Sequence, residues 1–339
     1  MSRVYERAKL ELSCNAWKTQ IHQVYYRPFD NRWTVYNRNV AVHRRMRASR
    51  HFLEVPNIGL CIGKAGQVVG SGEWNLVCCT RSPVDFNLFY RGGACNLPLY
   101  IFPDEKSLAF EDNRSLNFSN RFLHTLSRNL GIPRSAETPI PRGLIAEDIF
   151  SYIYAVLHSP GYRKRYSEFL KIDFPRLPLT ANLDLFRALA GLGNELVALH
   201  LIESPKLDGH NTIIVGSGDF RVEKVSYSDE TVWLDRTKTR GFRGVPEEVW
   251  NFHIGGYQVC HKWLKDRQAK GGKNPRPGRV LTDKDIAHYQ KIVVALSETI
   301  RLMQEIDEVI DRHGGWPDAF QVEAPAEEPS PPASPTSRP

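Results

Sequence analysis

The 339-residue chain has no long apolar run. Uncharged stretches such as Ala94–Pro103 fall well short of the ~20 residues that cross a bilayer. The opening MSRVYERAKLEL contains no apolar core, so it does not read as a secretory leader. Cysteine is sparse: the six residues (14, 61, 78, 79, 95 and 260) make no CxxC pair and no regular framework. Without an export signal they read as reduced thiols filling small core positions of a cytoplasmic protein. Paired Cys/His spacing for zinc is missing, and the adjacent Cys260 and His261 are poorly placed to share one ion. No GxSxG nucleophile turn is present.

Three glycine- or acid-bearing strings fall short of a catalytic motif. IIVGSGDF (213–220) has the strand-then-glycine entry of a cofactor site, but RVEKVSY follows it with strand-like alternation, which predicts a hairpin turn. GKAG (63–66) lacks the GK[ST] ending of a phosphate loop and reads as a turn. PDEK (103–106) supplies half of a nuclease-like carboxylate–lysine cluster, with only Asp85 upstream to complete it. No self-sufficient catalyst emerges, and no metal or catalytic residue is assigned.

Positive charge is concentrated. Residues 1–60 hold eleven Lys/Arg against four Asp/Glu, which equals the net charge of +7 for the whole chain. Between Arg27 and Arg50 seven arginines face Asp30 alone, with Tyr25, Tyr26, Phe29, Trp33 and Tyr36 interleaved. A second cluster runs from Lys262 to Arg279, with Asp266 its only acid. Guanidinium forks match phosphate oxygens and guanine edges, and neighbouring aromatics stack or pack, which makes nucleic acid one candidate partner. The plain alternative is a solvated strand face whose arginines pair with acids elsewhere. A membrane surface is disfavoured, because such binders carry lysines on an amphipathic helix and this segment reads as strand.

The pattern predicts an α+β fold: a largely antiparallel, β-rich recognition portion with an inserted helical segment and a long C-terminal helix. Residues 1–22 read as the remnant of an upstream linker with a short helix. Residues 23–143 form a β-rich part, with runs such as QVYYRP, RWTVY, NIGLCIG, GQVVG, WNLVCCT and LPLYIF and one helix near 120–130. Helices dominate 144–206: one over 146–158, one opened by Pro160 and reaching about 170, and one capped by Asn182. Residues 207–320 return to strands (212–215, 220–227, 231–235, 250–254), followed by a helix opened by Gly255-Gly256. A long helix then starts at a Thr282/Asp285 capping box. Its apolar stripe fits a coiled-coil seam or a helix lying on a sheet. From Gln321 onward six of nineteen residues are proline, which reads as a disordered tail.

Taken in order, YRPFDNRWTVY (26–36), NIGLCIG (57–63), LPLYIFPD (97–104), EDIFSYIYAVLHSPGYRKRYSEFLKIDFPRLPL (147–179), VWNFHIGGYQVCHKWLKDR (249–267) and LTDKDIAHYQKIVVALSETI resemble the C-terminal specificity domain of type ISP restriction–modification enzymes and related adenine-specific DNA methyltransferases. The resemblance covers about 20–312. It implies a module that reads a short duplex sequence for a methyltransferase domain, itself preceded by nuclease and helicase-like parts. This chain has no [DN]PP[YFW] tetrapeptide, NPRP (274–277) being the nearest string, and no credible cofactor loop. Any S-adenosylmethionine is therefore expected on a missing domain or partner, with this chain inactive alone and resembling a fragment, split gene product or subunit. A degenerate methyltransferase and a relic or protein-interaction scaffold are the competing readings.

Within this reading, Arg27, Arg32, Arg44, Arg45, Arg47 and Arg50, with Arg81 and Arg91 in β loops, are the candidate base or phosphate contacts. Lys262, Lys265, Arg267, Lys270, Lys273 and Arg276 are candidate phosphate ligands on a helix and a flexible basic loop. Gly255 and Gly256 are candidates for a phosphate seat at a helix start, or for a tight turn. Tyr257, Cys260, Trp263 and Leu264 are assigned to the core.

Overall fold

The computed structural model of the chain describes residues 2–13, 15–37, 39–41, 45–53, 55–64, 72–103, 114–134, 139–209, 212–273 and 275–321. The fold is α+β, and every named strand pair is antiparallel. Helix α1 (Ser2–Ser13) leads into the hairpin β1 (Ile21–Arg27) and β2 (Asp30–Val35), and a short helix α2 (Met46–Ser49) follows. β3 (Gly59–Ile62), β4 (Val77–Thr80) and β5 (Cys95–Pro98) make a three-stranded sheet in the order β4-β3-β5. β6 (Tyr100–Ile101) pairs with β7 (Ser115–Leu116).

A helical layer follows, and local chemistry sets its ends. α3 (Asn120–Leu130) begins where the Ser119 hydroxyl accepts the Phe122 N–H, and ends at Gly131, whose φ of 65° suits a residue without a Cβ. α4 spans Ala146–His158. Pro160 opens α5 (Pro160–Arg165), and α6 (Ser167–Ile172) continues it. The single helix predicted here is split at Tyr166, whose φ/ψ of −101°/17° lies outside the helical basin. The Asn182 side chain caps α7 (Leu183–His200) by accepting the N–H groups of Asp184 and Leu185. α4 and α7 approach so closely that a Cβ on Gly193 would sit 1.8 Å from the Ser151 carbonyl oxygen; only glycine fits.

The C-terminal part holds β8 (Ile213–Val215), β9 (Ser226–Ser228), β10 (Thr231–Trp233) and β11 (Gly241–Arg243), in the order β8-β11-β10-β9. The hairpin expected after β8 does not form. β8 pairs with β11, and of 220–227 only the end is strand, because Arg221 bridges to Val280 instead. After α8 (Glu247–Trp250), β12 (His253–Ile254) and β13 (Tyr257–Gln258) flank Gly255-Gly256. The glycine pair, with φ of 57° and 81°, is therefore a hairpin turn, and helix α9 starts only at Val259 (Val259–Lys265). α10 (Asp283–Arg312) begins at a reciprocal capping box between Thr282 and Asp285. It packs chiefly on α7 and α4, and its stripe also meets the C-terminal sheet, where Tyr289 lies 4.6 Å from the Phe242 ring of β11.

One continuous apolar core links both sheet regions to the helices. At its centre the neutral His200 imidazole accepts from the Tyr154 hydroxyl at Nδ1 and donates from Nε2 to Thr299, tying α4, α7 and α10 together. Burial first, and Arg163 second, push its pKa down to about 3. His158, beside it, is also lowered by burial, Arg163 and His200. Among the described cysteines, Cys61, Cys78, Cys79 and Cys260 are buried free thiols and Cys95 is partly buried. No helix among the described residues is long and apolar enough to cross a membrane. GQVVG, residues 65–66 of GKAG, residues 104–106 of PDEK and the proline-rich tail after Gln321 lie outside the described residues.

Candidate nucleic-acid interface

The first basic segment begins as a tight hairpin whose tip is buried. Phe29 takes a φ of 61°, a left-handed conformation that disfavours a bulky side chain. Three contacts hold it there. Its N–H donates to the Tyr25 hydroxyl at 3.0 Å, and its carbonyl accepts from His288 Nε2 at 2.8 Å. Its ring meets His200 edge-on at 5.5 Å. Burial lowers the His288 pKa, and the Phe29 carbonyl only partly offsets that. Asp30, 2% exposed, accepts from Arg32 at 2.7 Å and from Arg267 of the distant second basic segment at 3.0 Å.

Three stretches converge beside this tip. From the hairpin, the Arg27 and Arg32 guanidinium carbons each lie 3.9 Å from the Tyr26 ring centre. Arg27 also bonds Asp85 at 2.7 Å, fixing the loop after β4. From the third stretch, Tyr257 receives Arg27 at 5.4 Å and Lys262 at 5.2 Å over its ring, and meets Tyr90 edge-on. Burial raises the Tyr257 hydroxyl above its ordinary pKa, against the pull of Arg27. Asp266 accepts from Lys262 at 2.6 Å and lies 3.6 Å from Arg32, while its backbone carbonyl accepts from Arg276 at 3.0 Å. Arg267 lies 3.5 Å over the Trp263 ring. The result is a face of stacked cations and aromatics, set in position by Asp30, Asp85 and Asp266.

Of the residues singled out by sequence, Arg27, Arg32, Lys262, Arg267 and Arg276 meet on this face. Arg45 donates to the Ala94 carbonyl and lies over the Phe86 ring, and Arg91 lies over Tyr90. Arg81 is forked onto Glu203, just after α7, and lines a cavity with Phe29, Asp30 and Arg267 at the hairpin tip. Arg50 donates to the Pro103 carbonyl. Arg47, Lys265, Lys270 and Lys273 are exposed and form no ion pair among the described residues. Arg44 lies outside them. The Lys270–Arg279 loop is less open than its composition suggests, because Lys270 and Arg276 exchange backbone hydrogen bonds. The glycine pair makes the tight turn: the Gly255 N–H donates to Asn75 and its carbonyl accepts from Tyr90. A Cβ on Gly255 would lie 2.0 Å from the Phe89 ring.

Sequence reasoning singled out Tyr26 and Trp33 among the interleaved aromatics but missed Phe86 and Tyr90. Trp33, Phe86 and Tyr90 are 70%, 44% and 42% exposed. Tyr257, assigned to the core, is half-buried among cations, whereas Cys260, Trp263 and Leu264 are indeed buried. For Tyr90 the available signal was adjacency, since it precedes Arg91.

The family model described as the type ISP C-terminal specificity domain matches residues 2–305. No curated protein matches. Three solved structures share the fold. One is a nuclease-deletion mutant of the type ISP restriction-modification enzyme LlaGI in complex with a DNA substrate mimic, at 20% identity and a TM-score of 0.58 over 84% of this chain. Another is the ATP-dependent type ISP restriction-modification enzyme LlaBIII bound to DNA, at 19% identity and a TM-score of 0.64 over 85%. The third is a DrdV–DNA complex, at 18% identity and a TM-score of 0.66 over 85%. The chain spans 20%, 18% and 28% of those chains, respectively.

Proposed function

Because the chain belongs to the type ISP C-terminal specificity domain family, we propose that it is a sequence-specific duplex-DNA recognition module of a restriction–modification system. Its reading surface is then the face built by β1–β2, the loop after β4 and the β12–β13–α9 unit. One observation carries this: cations from stretches far apart in the chain converge there, interleaved with exposed aromatics and pre-set by carboxylates. Pre-set guanidinium groups lose little freedom on binding, which suits base-edge contact by Arg32, Arg276 and Arg45. The exposed Lys265, Lys270 and Lys273 suit phosphates, which fix register without reading sequence.

Methyl transfer and cleavage would be supplied by a methyltransferase or helicase–nuclease domain or subunit, which would also hold S-adenosylmethionine. The chain itself is not an enzyme in this reading, and the cytoplasm, where DNA is reached, is its compartment. The test is selection from a random duplex pool at two salt concentrations. Enrichment of one short motif, with affinity falling steeply as salt rises, is expected. Salt-insensitive retention, or none, would overturn the proposal.

A further inference from the structure

We infer that Trp33 is a wedge that inserts against a base step when this face engages duplex DNA. The inference rests on the DNA-recognition reading above and adds the mode of contact. Trp33 is 70% exposed, whereas Trp74 and Trp263 are 3% and 2% exposed. Leaving the largest apolar side chain in water is unfavourable unless a partner covers it. It stands on a strand whose neighbouring turn is locked by Asp30 and Phe29, so its position is held before any partner arrives.

Trp33 and Arg32 form a ridge between two clefts. One, of about 510 Å³, is lined further by Asn31 and by Arg267, Arg276 and Arg279, which outnumber its carboxylates Asp266 and Asp285. The other, of about 440 Å³, offers Tyr26, Phe86 and Asp85. A phosphate backbone seated in the arginine cleft brings the neighbouring bases to the indole, and the aromatic cleft then faces the opened step. Apolar side chains flanked by cations act in this way, unstacking a step and kinking the duplex by roughly 20–90°. The cationic rim points to a polyanion as the occupant of this ridge.

The test uses the 339-residue chain and a short duplex recovered from the random pool, with binding followed by anisotropy and tryptophan emission read in parallel. Wild-type emission is expected to be quenched on binding, and the Trp33→Phe variant to bind with that quench largely gone. Trp33→Ala should lose affinity roughly tenfold or more, since the variant has no ring to stack on a base. It should also fail to shorten the end-to-end distance of a dye-labelled duplex. Full affinity in Trp33→Ala, with an unchanged quench in Trp33→Phe, overturns the wedge and leaves DNA recognition standing. No binding by the wild type overturns both.

Discussion

Arg27, Arg32 and Arg267 end on carboxylates, with Asp30 almost fully buried, whereas Lys265, Lys270 and Lys273 end in solvent without an ion pair among the described residues. The two groups carry the same charge and do different work. In the first, charge is part of the architecture: it clamps the hairpin to α9 across the fold. In the second, charge is available to any polyanion and carries no shape. Cation density alone is thus a poor guide to a reading surface, and the acids decide which cations are pre-set and which are loose.

The sharpest way to break this contrast is to remove the clamp. Asp30→Ala should cost about 3–5 kcal/mol of stability, because the largely covered Arg267 guanidinium is left without its carboxylate. The measurement is urea unfolding, and a loss below about 1 kcal/mol would mean that the pair is dispensable. Proton uptake probes the buried side next. His200 and His158 stay neutral in the fold, with pKa values held below the usual 6.5, so the unfolded chain binds more protons in that window. Stability should therefore fall as pH drops below about 6.5, by about 1.4 kcal/mol per pH unit for each histidine. A flat profile between about pH 7 and about pH 5 would contradict it.

The solvent side should respond to salt and not to denaturant. Changing Lys270 and Lys273 together to Ala should leave stability within about 0.5 kcal/mol. The slope of log affinity against log salt should become shallower by about one for each phosphate that these lysines no longer neutralise. A small stability effect is expected for Arg279→Ala, which breaks a surface pair with Asp285 at 3.0 Å and should cost about 1 kcal/mol or less by urea unfolding, well below the cost of Asp30→Ala.

The helices were legible because their signals are local: the predicted caps at Asn182 and at Thr282/Asp285 are the ones that form. The strands of residues 23–103 that the structure describes were legible for the same reason, being short β-branched runs between turn residues. Residues 220–227 were not, since alternation there competes with a bridge to Val280 that no local pattern announces. Gly255-Gly256 shows the same limit, because two glycines at positive φ suit a hairpin turn as well as a helix entrance. Of the site, only its composition was readable. That Arg27 meets Asp85, and Arg267 meets Asp30, depends on pairings 58 and 237 residues apart.

That last separation also sets an order in time. Asp30 leaves the ribosome long before Arg267, and at ~5–20 residues per second the interval is roughly ten to fifty seconds. The segments on either side of β4 also wait, because Asn75 before it and Tyr90 after it find their final partner only when Gly255 emerges. Through that interval the first hairpin carries Phe29 without His288 and Asp30 without Arg267. The proposed reading face is thus completed only when the C-terminal third of the chain closes onto strands synthesised earlier.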